Sequence, residues 1–266
     1  MSLVQVDYVR AFQDNYIWII RNDQCAVVVD PGDAKPVFNY LHQKKLKLSA
    51  ILITHHHADH IGGVQALCDQ SNYAVPVYGP AREIIPCLTF PLYGDEQISL
   101  DTLGLTLTIK HIPGHTLGHI AYYTSLAHGQ DIVFCGDTLF ASGCGRLFEG
   151  TPAQMLRSLH SLSALPKETL VYCTHEYTLS NIHFAVTVEP NNLALKNWAS
   201  VAKNLRRQNL PTLPTTLEHE LSTNPFLRCQ HRAVVIAVQQ YIKCQESSEL
   251  EIFTALRYWK DNFKYT

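Results

Sequence analysis

The chain has 266 residues, 46% of them hydrophobic and 17% charged, enough to bury one large domain, or one domain with a smaller appendage. A net charge of −2 offers no general attraction for nucleic acid or anionic membranes, so neither is expected as a partner. The N-terminal 22 residues hold only a short apolar run, 16–20, unlike a signal-peptide core, and no stretch approaches the length of a membrane span, which points to a cytoplasmic protein.

In chain order, residues 17–20, 25–29 and 50–53 are rich in β-branched side chains and predict strands, with Asp30-Pro31-Gly32-Asp33 as the turn closing the second. Helices fit at 34–43 and 61–70, and further strands at 105–112, 120–124, 131–135 and 169–173. A helix at 152–162 carries its own start signal, with Thr151 as N-cap, Pro152 in the first position and Gln154 completing a capping box. After about residue 175 amphipathic helical runs take over, at 192–207, 230–243 and 249–263, the last opened by Ser248 and Glu251. Residues 211–225, with three prolines, read as an irregular connector. The expectation is a mixed α/β domain over 1–174 followed by a helical domain over 175–266. Eight scattered cysteines (25, 68, 87, 135, 144, 173, 229, 244) without a C-x-x-C pair read as small buried hydrophobes in a reducing compartment.

Eleven of the fourteen histidines fall at or before His175, and the stretch Thr54-His55-His56-His57-Ala58-Asp59-His60 is the densest part of that excess. Imidazole nitrogens and a carboxylate oxygen suit zinc, iron or manganese. Side chains two apart share a face of extended chain, so His55 and His57 point together, while Asp59 and His60 open a helical run and can turn to a second position. A histidine-rich surface loop or a tag is the plainer alternative, but the cluster is internal and directly follows an apolar strand. Three further donors also follow strands: His115 in Pro113-Gly114-His115-Thr116-Leu117-Gly118-His119, Asp137 in Cys135-Gly136-Asp137-Thr138, and His175 in Thr174-His175-Glu176-Tyr177. Each alone reads as a cap or a satisfied core group; together they can converge on one edge of the sheets.

These motifs resemble the metallo-β-lactamase superfamily, and within it the glyoxalase II (hydroxyacylglutathione hydrolase) family. The narrower likeness rests on Asp14-Asn15-Tyr16-Ile17-Trp18, Gly143-Cys144-Gly145-Arg146-Leu147-Phe148-Glu149-Gly150-Thr151, His175-Glu176-Tyr177-Thr178, Val188-Glu189-Pro190-Asn191-Asn192 and Asn224-Pro225-Phe226-Leu227-Arg228. It runs nearly from end to end, and implies a four-layer αββα sandwich followed by a C-terminal α-helical domain. Position by position it implies one divalent ion on His55, His57 and His115, a second on Asp59, His60 and His175, and Asp137 bridging both. Zinc is the first expectation, with iron or manganese as alternatives. His56 and His119 are implied non-ligands, and Asp30 a structural carboxylate near the site.

The implied reaction is hydrolysis of S-D-lactoylglutathione to D-lactate and glutathione, the second step of methylglyoxal detoxification, by a hydroxide held by both metals. Asp59 would orient or deprotonate that water. A thiolate leaves readily, in keeping with the absence of a Ser-His-Asp or Cys-His nucleophile motif. Glutathione's carboxylates call for cations and aromatic hydroxyls, and the resemblance implies Arg146, Tyr177, Arg257 and Lys260, with Phe148 where some relatives carry tyrosine. Arg257 and Lys260 are three apart on the last helical run; spacing alone reads this as a solvated basic face, and the resemblance turns it into a binding face. The expected partner is therefore a small-molecule glutathione thioester, and the expected state a monomer. A β-lactamase with a zinc-bound cysteine would carry Cys where Asp137 stands, and an RNA-processing nuclease would need a more basic surface. A persulfide dioxygenase would lack this helical domain. Another thioesterase or a lactonase stays open on the metal motifs, as does a non-catalytic protein with a structural metal.

Overall fold

β-branched residues crowd the first strands, and the structure, a computed structural model describing residues 3–243 and 247–264, lays those strands into one sheet. β1 (Gln5–Ala11), β2 (Asn15–Arg21), β3 (Cys25–Val29), β4 (Lys47–Leu52), β5 (Val77–Pro80) and β6 (Phe90–Leu92) lie side by side in that order. The first three pair antiparallel and the rest parallel. α1 (Ala34–Lys44) and α3 (Val64–Asp69) cover one face, with the short α2 (Ala58–Ile61) between them in the chain. β2 is apolar without alternation because both its faces are covered. Ile17 and Ile19 pack with Val28, Val37, Leu41, Ile51 and Leu67 under the helices. Trp18, on the opposite face, meets Tyr172 edge-on at 4.8 Å and donates its indole N–H to the Cys173 carbonyl at 3.0 Å.

That opposite face receives an antiparallel meander, β7 (Gln97–Leu100), β8 (Leu105–His111), β9 (Ile120–Ser125) and β10 (Asp131–Gly136). Tyr122 of β9 donates its hydroxyl to the Ile53 carbonyl at 2.8 Å, tying the meander to the first sheet. Contacts within the chain gather into two compact units. The first holds everything up to His111, with residues 117–136 and 172–175; the second holds 112–116, 137–171 and Glu176 onward.

The second unit contains the hairpin of β11 (Leu139–Phe140) and β12 (Gly143–Cys144), then α4 (Pro152–Ser163), started by the expected Thr151–Gln154 capping box. β13 (Leu170–Cys173) pairs through Leu170 and Val171 with β14 (Thr215–Thr216), and its last two residues belong to the first unit. The helical part comprises α5 (Thr178–Val188), α6 (Leu193–Arg207), α7 (Leu217–Thr223), α8 (Arg232–Ile242) and α9 (Glu249–Asp261). Ile182 and Ala185 of α5 pack on Leu195 and Ala202 of α6.

Three expectations change. The helix expected over 61–70 is two short helices broken at Gly62 and Gly63, where the backbone meets the turn after β3. Gly63 N–H bonds the Pro31 carbonyl at 2.8 Å, and a Cβ on Gly62 would lie 2.6 Å from the Gly32 carbonyl oxygen. The proline-rich connector over 211–225 contains β14 and α7, with Thr216 capping α7 by accepting from the His219 N–H at 3.2 Å. And α5 forms where the sequence reading assigned nothing, because its apolar residues do not fall into a single stripe. Of the eight cysteines, Cys25, Cys135, Cys144, Cys173 and Cys229 are buried as expected, Cys68 and Cys87 are only half-buried, and Cys244 lies outside the described residues.

α7 carries a carboxylate into the interior of the second unit. Glu220 accepts from Ser142 N–H at 2.7 Å, Thr215 Oγ1 at 2.8 Å and Asn224 Nδ2 at 3.0 Å. Burial raises its pKa to about 7, against the downward pull of those three donors. A carboxyl raised in the folded state stabilises fully below its ordinary value of 4.5, and that contribution is lost as the pH climbs through about 7. Glu220→Gln, neutral throughout, should therefore show a flatter decline of unfolding free energy between about pH 5 and 8. The divergence from wild type would be on the order of 3 kcal/mol at most, read by urea unfolding. Parallel profiles would mean that the group titrates alike in both states.

Candidate metal centre

β4 ends at Leu52, the chain bends at Thr54, and His57 is the N-cap of α2. His55 and His57 lie side by side along this segment, with His55 Nε2 3.1 Å from His57 Nδ1. The first turn of α2 then delivers Asp59 and His60. Asp59 Oδ2 stands 3.7 Å from His60 Nε2 and 3.3 Å from the Nε2 of His175, which follows β13. In the second unit, His115 Nε2 stands 3.4 Å from Asp137 Oδ2. Two ligands of one tetrahedral ion at the usual bond lengths lie about 3.3 Å apart, so each group has the spacing of atoms that share an ion.

What the imidazoles do with their other nitrogen tests the fit. His60 Nδ1 lies 3.0 Å from Asp30 Oδ2, and His175 Nδ1 lies 2.8 Å from Asp14 Oδ1. His115 Nδ1 donates to the Arg146 carbonyl at 2.8 Å. Asp30 also accepts from the Thr54 N–H and hydroxyl, both at 2.7 Å, and that hydroxyl lies 3.1 Å from His55 Nδ1. Three rings, His55, His115 and His175, thus have a hydrogen-bond acceptor at Nδ1, which favours the tautomer with its lone pair on Nε2, the state a metal requires. The donor set fits divalent ions.

Asp59 is the anionic member of its group. Burial would raise its pKa, but its contacts with His175 and His60 and the Asn15 amide at 3.0 Å outweigh burial and hold it well below the ordinary carboxylate range. His119 stacks on His55 at 4.6 Å, and His56 pairs with Glu83 at 3.1 Å. Gly136, before Asp137, has φ +48°, and a Cβ there would lie 2.3 Å from Thr54 Oγ1. Only glycine suits that position.

The second unit also holds a cavity of about 450 Å³, with His115 and Asp137 in its wall and Arg146, Phe148, Tyr177, Arg257 and Lys260 around it. The cations of α9 are not a solvated face. Arg257 is buried, donating to the Cys144 carbonyl and to Asp261, each at 2.9 Å. Lys260 donates to the Ser180 carbonyl at 3.2 Å, and burial, then Arg257 and Arg146, lower its pKa to about 8. Arg146 is exposed, 3.8 Å from Asp261, and the Phe148 ring meets His115 edge-on at 5.2 Å. Tyr177 packs on Phe140 at 5.3 Å. Cys144 also lines the cavity, but burial pushes its thiol up to about 11, so it is no nucleophile at neutral pH.

Sequence reading gave no role to Thr54, Asp14, Asn15 or Glu83. The Asp14-Asn15 motif was visible as a family token; nothing in the sequence pairs Thr54 with Asp30.

Residues 11–175 match the family model described as Metallo-beta-lactamase superfamily, and residues 176–263 the one described as Hydroxyacylglutathione hydrolase C-terminus. The crystal structure of the BLEG-1 B3 metallo-β-lactamase matches with a TM-score of 0.61 at 26% identity, covering 84% of this chain and 99% of that one. ETHE1 from Myxococcus xanthus shares the fold, with a TM-score of 0.61 at 23% identity over 96% of this chain and 98% of its own. The chain is thus a member of the metallo-β-lactamase superfamily, with its αββα fold and a C-terminal helical region. The hydroxyacylglutathione hydrolase of Nitrosomonas eutropha is 50% identical over 262 residues, 98% of this chain and 100% of that protein. That of Cupriavidus taiwanensis is 52% identical over 267 residues, again 98% and 100%. Within the superfamily, the chain belongs to the hydroxyacylglutathione hydrolase family.

Thr54→Val keeps the side-chain shape and removes the hydroxyl between Asp30 and His55. It should weaken metal binding by roughly 10–100-fold in competition with a chromophoric chelator, with the far-ultraviolet circular dichroism unchanged. Undiminished affinity would show that His55 is oriented without Thr54.

Proposed function

We propose that the chain hydrolyses S-D-lactoylglutathione to D-lactate and glutathione, the second step of methylglyoxal detoxification. The observation that carries the proposal is one cavity wall bearing both metal-type donors, His115 and Asp137, and anion-binding cations, Arg146 and Lys260. By the family pattern we assign His55, His57 and His115 to one divalent ion, Asp59, His60 and His175 to a second, and Asp137 to both. We take the ions to be zinc, with iron or manganese as alternatives. We also assign metal chemistry mainly to residues 1–174 and glutathione recognition to 175–266, in a monomeric, cytoplasmic protein. No helix among the described residues is long and apolar enough to cross a membrane.

Divalent ions supply Lewis acidity, which makes water nucleophilic near neutral pH and polarises a thioester carbonyl. The chain's own groups do the rest. Asp59, held anionic, accepts a hydrogen bond or the proton from the attacking water, and the Asn15 amide fixes the direction of its carboxylate. Lys260 and Arg146 bring positive charge to glutathione's carboxylates, and Tyr177 adds a hydroxyl donor. Arg257 contributes by holding the Cys144 carbonyl and Asp261, which shapes the wall. Phe148 offers a ring in place of a phenol, so that contact is packing.

Steady-state hydrolysis of S-D-lactoylglutathione tests this reading. Asp137→Asn should lose bound metal and kcat together, while Lys260→Ala should raise KM roughly tenfold or more with little change in kcat. An unchanged KM would remove Lys260 from the pocket. A wild type that holds metal without turning over this thioester would overturn the substrate. The pH dependence has a definite sign: Lys260, lowered to about 8, is charged below that pH and loses its charge above it. KM should therefore rise between about pH 7 and 9 in the wild type, and Lys260→Arg, charged throughout, should abolish the rise. A rise that persists in Lys260→Arg would assign it to another group.

A further inference from the structure

Cys68 and Cys87 are the two described cysteines that are not buried, and they lie together. Cys68 is on α3; Cys87 is in the loop between β5 and β6, at φ +55°, a conformation that residues with a side chain seldom adopt. The two thiols are within hydrogen-bonding reach of each other. Cys87 Sγ also donates to Gln65 Oε1 at 3.3 Å, and Gln65 precedes Cys68 by one turn on the same face of α3. Both residues are half-buried at the margin of the core that packs under that helix.

We propose that Cys68 and Cys87 are a reversible thiol–disulfide pair, which exchanges with small-molecule disulfides and staples α3 to the β5–β6 loop. The staple would join two segments that lead to the donor cluster. α3 follows Asp59 and His60 after the Gly62-Gly63 break. The loop carries Glu83, which pairs with His56 at 3.1 Å and accepts the Gly118 N–H at 3.0 Å.

The exchange balances in two steps. The Cys87 thiolate attacks one sulfur of a disulfide RS–SR and expels RS⁻, which takes up a proton. Cys68 then loses its proton to solvent, attacks the Cys87 sulfur and expels the second RS⁻. Two protein thiols are oxidised by two electrons, and one small disulfide is reduced to two thiols. Burial, then the neighbouring Cys87, push the Cys68 thiol up to about 12, so the second step should quicken as the pH rises.

The test treats full-length, metal-loaded protein with 2-hydroxyethyl disulfide, a neutral probe, then alkylates the remaining thiols under denaturing conditions and maps the peptides by mass. The expected result is two fewer alkylated thiols, no retained probe, a Cys68–Cys87 linked peptide and full reversal by dithiothreitol. The thermal midpoint should rise by roughly 5 °C or more while the link is present. Cys68→Ser should stop at a single adduct on Cys87 without the rise. Unchanged alkylation, a stable adduct on the wild type, or a link to another cysteine would overturn the pair. A mapped link with no rise in midpoint would overturn the staple.

Discussion

The buried carboxylate of Asp30 receives the Thr54 N–H and hydroxyl at 2.7 Å and faces His60 Nδ1 at 3.0 Å, and those contacts set the direction of the chain from Thr54 to His60. A carboxylate stripped of water is strongly destabilising unless its lone pairs are met, so Thr54 is held to Asp30 through both its N–H and its hydroxyl. Because Thr54 gives its proton to Asp30, its oxygen is left to accept from His55 Nδ1, and the carboxylate thereby orients that ring through Thr54. Asp14 does the same for His175, and the Arg146 carbonyl for His115. In these three rings of the candidate metal centre, the acceptor at Nδ1 leaves Nε2 as the nitrogen able to ligate.

The second unit manages buried carboxylates in different ways. Glu189 takes the Arg228 guanidinium in a forked pair at 2.8 and 3.0 Å, joining the end of α5 to the segment before α8. Glu220 instead takes neutral donors, and Asn224 beside it bonds the Phe140 and Gly143 carbonyls at 3.1 and 2.9 Å. The β11–β12 hairpin, which supplies Phe140 and Cys144 to the cavity, is therefore held by α7 and the turn after it. A buried cation, Arg257, closes the same hairpin from α9 through the Cys144 carbonyl. The substrate side of the proposed reaction thus rests on backbone carbonyls held by side chains, which leaves Lys260 and Arg146 to meet the ligand's charge.

The candidate metal donors are legible because they are chemically conspicuous and follow apolar strands: His55 and His57 stand side by side, and Asp59 and His60 open α2. Their supports were not, because Asp30 and Thr54 are 24 residues apart and Asp14 and His175 are 161 apart, with no periodicity to connect them. Strands β2 and β3 and helices α1 and α4 were readable from β-branched runs and caps. Gly62 and Gly63 broke an expected helix because a tertiary contact with the Pro31 turn outweighs local propensity. α7 was hidden by flanking prolines although Thr216 and the acidic first turn announce it. α5 was invisible because burial on several sides erases the stripe that marks a surface helix.

The most direct test titrates zinc into metal-free protein and records S-D-lactoylglutathione turnover after each addition, with bound metal measured on the same samples. The predicted result is activity that climbs to a plateau at two ions per chain and disappears with a chelator. A plateau at one ion, or two bound ions without turnover, would contradict a binuclear thioester hydrolase.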